Sequence, residues 1–217
     1  MNKSLLISFI LSAIFLSGCI TIHEDYKFNK NGSGTMEYTI DMSKLLSMMQ
    51  SFSESENSED LQIDQSFIEA TEELKSIKGI SNVSLTGNNS EYIYGIKYDF
   101  TDIDVLNEAM SSILKQESHY SKYISIDGKK ITRHSVISDE FSFDKLKGKE
   151  EGEIDKETMQ GIFEQMKYFI TMNFQRPVKS VTTMADYNIK GKTIFLETNF
   201  AKILENKKNL ETQIILK

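Results

Sequence analysis

Few side chains in this sequence are placed to do chemistry at neutral pH. There is one cysteine, Cys19, and there are three histidines, His23, His119 and His134. A single cysteine excludes an intramolecular disulfide and any thiolate-cluster metal site. No histidine stands at metal-ligand spacing from another histidine or from the cysteine, so no metal site is expected. His23-Glu24-Asp25 reads as strand, where successive side chains point to opposite faces and do not converge. No serine lies in the G-x-S-x-G turn of a hydrolase nucleophile. Asn31-Gly32-Ser33-Gly34 has the composition of a phosphate loop, but such a loop must open a helix whose N-terminal amides meet the anion. Here an alternating, strand-like run follows, so the segment reads as a hairpin turn. Gly191-Lys192-Thr193 matches the end of a Walker A motif, yet position 186 is Asp where glycine is needed, and a strand follows. The carboxylates Glu54, Glu56, Glu59, Asp60 and Asp64 lack the glycine that a calcium loop uses for its sharp turn. They read as solvated charge, as do Asp139, Glu140, Glu150, Glu151 and Glu153. No reaction and no cofactor can be read from these residues, and the expectation is a protein that is not an enzyme.

Cys19 has a different chemistry in view. Lys3 gives a short positive start, Leu5–Leu16 is apolar apart from Ser8 and Ser12, and small residues Ser17 and Gly18 precede the cysteine. An apolar run of this length is too short for a bilayer core, which takes about 20 residues. It has the length and flanks of a secretory signal peptide. Leu16-Ser17-Gly18-Cys19 resembles the lipobox of bacterial lipoproteins. The resemblance implies cleavage of residues 1–18, a diacylglyceryl thioether on Cys19 and an acyl group such as palmitate on the freed amine. One buried chain holds a protein to a membrane only marginally, whereas two or more anchor it. Ile20 is not the Asp that resembles an inner-membrane retention signal, so the expected address is the outer membrane of a bacterial envelope.

The elements that must carry such a surface protein follow from composition and patterning. The chain has 217 residues, with 25 Lys+Arg against 32 Asp+Glu and a net charge of −7. Hydrophobic residues make up 39% and charged residues 26%, which is globular composition. An acidic balance argues against nucleic acid, since phosphate binding needs a basic face. Ile20, Ile22, Tyr26 and Phe28 alternate, a turn follows at 29–34, and Met36, Tyr38, Ile40 and Met42 resume the alternation: a hairpin beginning almost at the lipid. Helices are expected over 44–51, 64–78 (with Gly79 as its C-cap), from Thr101 or Asp102 to Leu114, and over 155–167. Tyr92, Tyr94, Ile96, Tyr98 and Phe100 form the cleanest strand. Asp127-Gly128 signals a third hairpin, and strands are expected near 168–174, 178–183, 193–199 and 210–216. Residues near 51–63 and 138–154 read as mobile acidic loops. The sum is one α+β domain over 19–217: an antiparallel sheet of about eight strands with helices packed on one face.

With the lipobox, the turn at Asn29–Gly34, the Asp41-Met42-Ser43 step into a Met/Leu-rich helix and the Pro177-Val178 step into a strand, the chain resembles a family of uncharacterised envelope lipoproteins of Bacteroidetes type. That resemblance implies the address and the fold, and no catalysis. The hairpin directly after the cysteine is also similar to LppM-type lipoprotein domains, which implies a lipid-facing role. Two functions from different classes are therefore expected: binding or scaffolding of an envelope protein or lipid at a membrane surface, and carriage of a lipid or small molecule in a pocket between sheet and helices. The tyrosines Tyr92, Tyr94 and Tyr98 are either a sheet face beneath helices or, if uncovered, an aromatic platform for a partner.

Overall fold

The computed structural model describes residues 20–52, 63–114, 122–135 and 156–217. The expected signal segment 1–18, with the lipobox-like Leu16-Ser17-Gly18, lies outside them, as do Cys19, His119, the acidic stretch at 138–154 and most of that at 51–63. The opening hairpin forms as the alternation predicts, with β1 (Thr21–Phe28) antiparallel to β2 (Gly34–Asp41). Its turn closes through the Asn29 amide donating to the Ser33 carbonyl at 2.8 Å, with Gly32 at φ 87°. The helices α1 (Ser43–Phe52) and α2 (Ile63–Ser76) follow. A second hairpin of β3 (Ile80–Asn88) and β4 (Ile93–Phe100) leads into α3 (Ile103–Ile113). Asp102 caps α3, its carboxylate accepting from the Asp104 and Val105 amides, so that helix starts where the cap residue stands.

The third hairpin, β5 (Ile124–Asp127) with β6 (Lys130–Arg133), turns at Gly128 as expected. Beyond it come α4 (Lys156–Gln165), β7 (Lys167–Asn173), β8 (Val178–Thr183), β9 (Asp186–Lys190), β10 (Thr193–Asn199), α5 (Phe200–Glu205) and β11 (Thr212–Leu216).

The single antiparallel sheet is corrected: the described strands form two sheets. A mixed sheet has the order β3-β4-β2-β1-β7-β10-β9, and a four-stranded antiparallel sheet has the order β5-β6-β11-β8. Within the large sheet β1 and β7 run parallel, Ile22 opposite Tyr168 and Glu24 opposite Ile170. A hairpin partner is local and legible, but β1 has two edges. The second is filled by a strand that returns after the whole of residues 29–166, long enough for the crossover that parallel pairing demands. The chain changes sheets between Asn173 and Val178. Pro177, which has no amide to give a ladder, lies at that corner and accepts from the Lys217 amide at 2.9 Å. Strand β9 was not expected. Tyr187 and Ile189 alternate with polar residues over only five positions, all five are exposed, and the strand exists through pairing with β10 across the Gly191 turn.

One face of the large sheet is covered in two halves. Helices α2 and α3 lie over β3 and β4, burying Leu74, Leu106 and Met110 completely, each contributing about 1.5–3 kcal/mol. The small sheet closes over β1. Asn107 of α3 joins the two covers: its amide donates to the Ile124 carbonyl and its carbonyl accepts from the Ile124 amide, both at 2.9 Å, extending the edge of β5.

Candidate functional site

The inward parity of β1 carries one residue that the apolar alternation does not predict. Ile22, Tyr26 and Phe28 point into the core as expected, and Glu24 points with them, 1% exposed. Its partner comes from the other sheet. Arg133 of β6, 3% exposed, donates from Nε to Glu24 Oε2 at 3.0 Å and from Nη2 to Oε1 at 2.8 Å. Tyr26 donates its hydroxyl to Oε2 at 2.8 Å, and Tyr168 of β7 donates to Oε1. The third guanidinium nitrogen donates to the Leu210 carbonyl at 3.0 Å, and the guanidinium lies 5.9 Å from the Tyr168 ring centre.

Burial by itself pushes the Glu24 carboxyl up. The Arg133 charge, its hydrogen bonds and the two tyrosine hydroxyls outweigh that and hold it below its ordinary value. Arg133 is likewise held charged by Glu24 against the pull of burial. Burial, then the Glu24 charge, raises Tyr26 and Tyr168 far above ordinary phenols, so both stay neutral donors. A carboxylate offers about four acceptor positions, and four donors fill them here. With no lone pair to spare and no solvent, Glu24 has the geometry of a tie between the two sheets rather than of a base.

The tyrosines of β4 do not make an exposed platform. Tyr98 is fully buried and Tyr94 is 6% exposed, both packed against the covering elements. Tyr92 lies before the strand, half-buried in the left-handed region at φ 59°. The reason is the helical cover: Phe67 of α2 meets Tyr94 with ring centres 5.8 Å apart. The hydroxyls of Tyr98 and Tyr123 are buried without a hydrogen-bond partner among the described residues. His23 faces the opposite side of the large sheet, stacked on Phe169 at 5.0 Å, and His134 shares a hydrogen bond with Ser125 at 2.8 Å. The two described histidines are thus not brought together, and among the described residues no group of three His, Cys, Asp or Glu side chains converges on a metal position.

An open feature lies between sheet and helices. A cleft of about 310 Å³ is walled by Tyr38 and Ile40 of β2, Ile96 of β4, Phe67 and Ala70 of α2 and Ile113 of α3. Its walls are chiefly apolar; Ser66 and Tyr38 bring hydroxyls, that of Tyr38 with its acidity suppressed by burial and then by the Glu24 charge. Ile40 pairs with Ile22 and Tyr38 with Glu24, which sets the cleft beside the first half of β1. Sequence reading reached the helix and strand faces that wall it, because their periodicity is plain. It missed Glu24 and Arg133, although a carboxylate on the apolar parity of a strand is itself a signal that a cation must come from elsewhere.

No family model and no curated protein matches the chain, so the likeness to Bacteroidetes-type envelope lipoproteins gains no support there. Among solved structures, the chain is similar to the folded domain of the LppM protein of Mycobacterium tuberculosis, determined by NMR. The two share 9% identity and a TM-score of 0.41, over 92% of this chain and 91% of that one. At that identity and score the likeness carries no conclusion about what the chain binds.

Proposed function

We propose that the chain is a lipid-anchored protein of a bacterial envelope with a non-enzymatic binding role, its folded domain receiving a lipid or small apolar molecule in the cleft between sheet and helices. The observation that carries this reading is the cleft, whose apolar walls suit an acyl chain and offer no charged group. Its level in the molecule fits a membrane address. With lipid on Cys19, Thr21 stands two residues away, within about 7 Å of extended chain. Ile22 and Glu24, which mark the height of the cleft, follow within about another 10 Å along the strand. The cleft would therefore lie close to the bilayer from which an apolar ligand is drawn, with the outer membrane as the address that Ile20 favours.

The test has two parts. Mass spectrometry of the chain purified from membranes should show Cys19 as the first residue, carrying a diacylglyceryl group. The same protein should bind cis-parinaric acid with a rise in fluorescence. Ala70→Trp, which fills the cleft from α2, should weaken that binding at least tenfold with only a modest change in melting temperature. An unmodified Cys19 removes the anchor from the account, and a variant that binds as well as the parent removes the cleft.

A further inference from the structure

The two sheets diverge at the end of β1 far from Thr21. A cavity of about 360 Å³ opens there, walled by the 29–32 turn, the Gly128 turn, the start of α3 and the 174–176 corner. Its floor is aromatic and aliphatic. Phe28 and Phe174 stack with ring centres 5.4 Å apart, and Ile131 closes the side of the small sheet. Its rim is cationic: Lys30 and Arg176 both line the cavity, both are exposed, and neither pairs with a carboxylate among the described residues. The one acid at the rim, Asp102, is already engaged, one oxygen accepting from two α3 amides and the other from the Thr101 hydroxyl. In a chain of net charge −7, two unpaired cations around an apolar hollow are a local reversal of sign.

We infer that this cavity is a binding site for a small organic anion with an apolar body, such as an aryl-alkyl carboxylate. The volume lies within the range of ligand pockets, and the design of an apolar floor with a few polar groups at its mouth is the one that fixes a ligand's orientation. The Arg176 fork matches a carboxylate in two parallel hydrogen bonds, Lys30 adds a point charge, and the Phe28–Phe174 pair takes the body. The site is separate from the cleft between sheet and helices. Glu24, opposite Tyr38 of that cleft, and Phe28 are four strand residues apart, about 13 Å at ~3.3 Å each.

The full chain in a neutral detergent would be titrated with 4-phenylbutyrate and, in parallel, with the uncharged 4-phenylbutanol, by calorimetry and by NMR of the isoleucine methyl groups. Saturable binding of the anion is expected, with shifts at Ile126 and Ile131 and weaker binding of the alcohol. Lys30→Met with Arg176→Met should weaken the anion about ten- to a hundredfold, the range for losing charge-assisted hydrogen bonds. Ile126→Trp, a substitution at a partly exposed wall residue, should block the site, while Ala70→Trp should leave it unchanged. The inference is overturned by equal binding of the alcohol, by competition from inorganic phosphate at matching concentration, or by tighter capture of a Glu-rich peptide. It is also overturned if Ala70→Trp abolishes binding and Ile126→Trp does not, which would leave the cleft reading standing. Failure of parinaric acid to bind would sink the cleft reading alone.

Discussion

Glu24 and Arg133 pair across the interior from strands of different sheets, and each is there only because the other is. Two charges taken out of water cost several kcal/mol each, and the pair recovers that through four donors on the carboxylate and a carbonyl on the guanidinium. Removing one partner therefore strands the other. Glu24→Gln or Arg133→Met should each destabilise the protein by about 3–5 kcal/mol in urea unfolding. The double variant Glu24→Met with Arg133→Met should recover part of that loss, because no charge is left stranded, but not all of it, because the Tyr26 and Tyr168 hydroxyls and the Leu210 carbonyl stay buried without the pair. Single and double variants that lose the same amount would show that the pair is not the tie described above.

At the scale of elements, close approach decides what the alternation cannot. Gly34 begins β2, where a Cβ would stand 2.1 Å from the Lys27 carbonyl oxygen and 2.7 Å from the Phe100 ring. Gly161 sits inside α4, where a Cβ would meet nothing within 4 Å. Gly34→Ala should cost about 3 kcal/mol through overpacking between β1 and β4. Gly161→Ala should gain about 0.5–1 kcal/mol by restricting the unfolded chain and favouring helix. Thermal melts of both variants read this directly, and a neutral Gly34→Ala would contradict the packing at the hairpin. The same contrast explains what was legible beforehand. Hairpins at 29–34 and 127–128 and the Asp102 cap are local events written in adjacent residues. The β1–β7 pairing and the split into two sheets depend on contacts distant in sequence, and no period in the chain encodes them; the exposed strand β9 is a local hairpin partner of β10 whose short Tyr187/Ile189 alternation is a weak signal. The walls of the cleft could be read from periodicity. The charge tie could be read only in half, from Glu24 on an apolar parity, since nothing around Arg133 in sequence names its partner.

Over the whole molecule, the buried titratable groups set how stability answers to pH, and the two limbs have different authors. On the acid side the chief contributor is Glu24, whose folded-state value lies below its ordinary 4.5. Such a group stabilises fully above the unfolded value and loses that contribution as pH falls through the folded one. Asp99, held down by Asn82 and Thr35, acts in the same direction, but it lies near the surface, where solvent screens it, and adds less. On the basic side, burial raises five tyrosines, Tyr26, Tyr38, Tyr98, Tyr123 and Tyr168, above the ordinary phenol value of 10. Each stays protonated in the folded chain while the unfolded chain ionises above pH 10. Each therefore removes up to about 1.4 kcal/mol of stability per pH unit beyond that point. Unfolding free energy should thus be flat between about pH 5 and 10, fall gently below 4.5 and fall steeply above 10. Tyr98→Phe separates this from general alkaline damage. Among the described residues its hydroxyl has no partner, so the variant should match or exceed the parent on the plateau and show a basic limb shallower by one tyrosine. A basic limb of unchanged slope would mean that Tyr98 meets solvent, and with it that the helices do not cover β4 as tightly as their packing on the sheet implies.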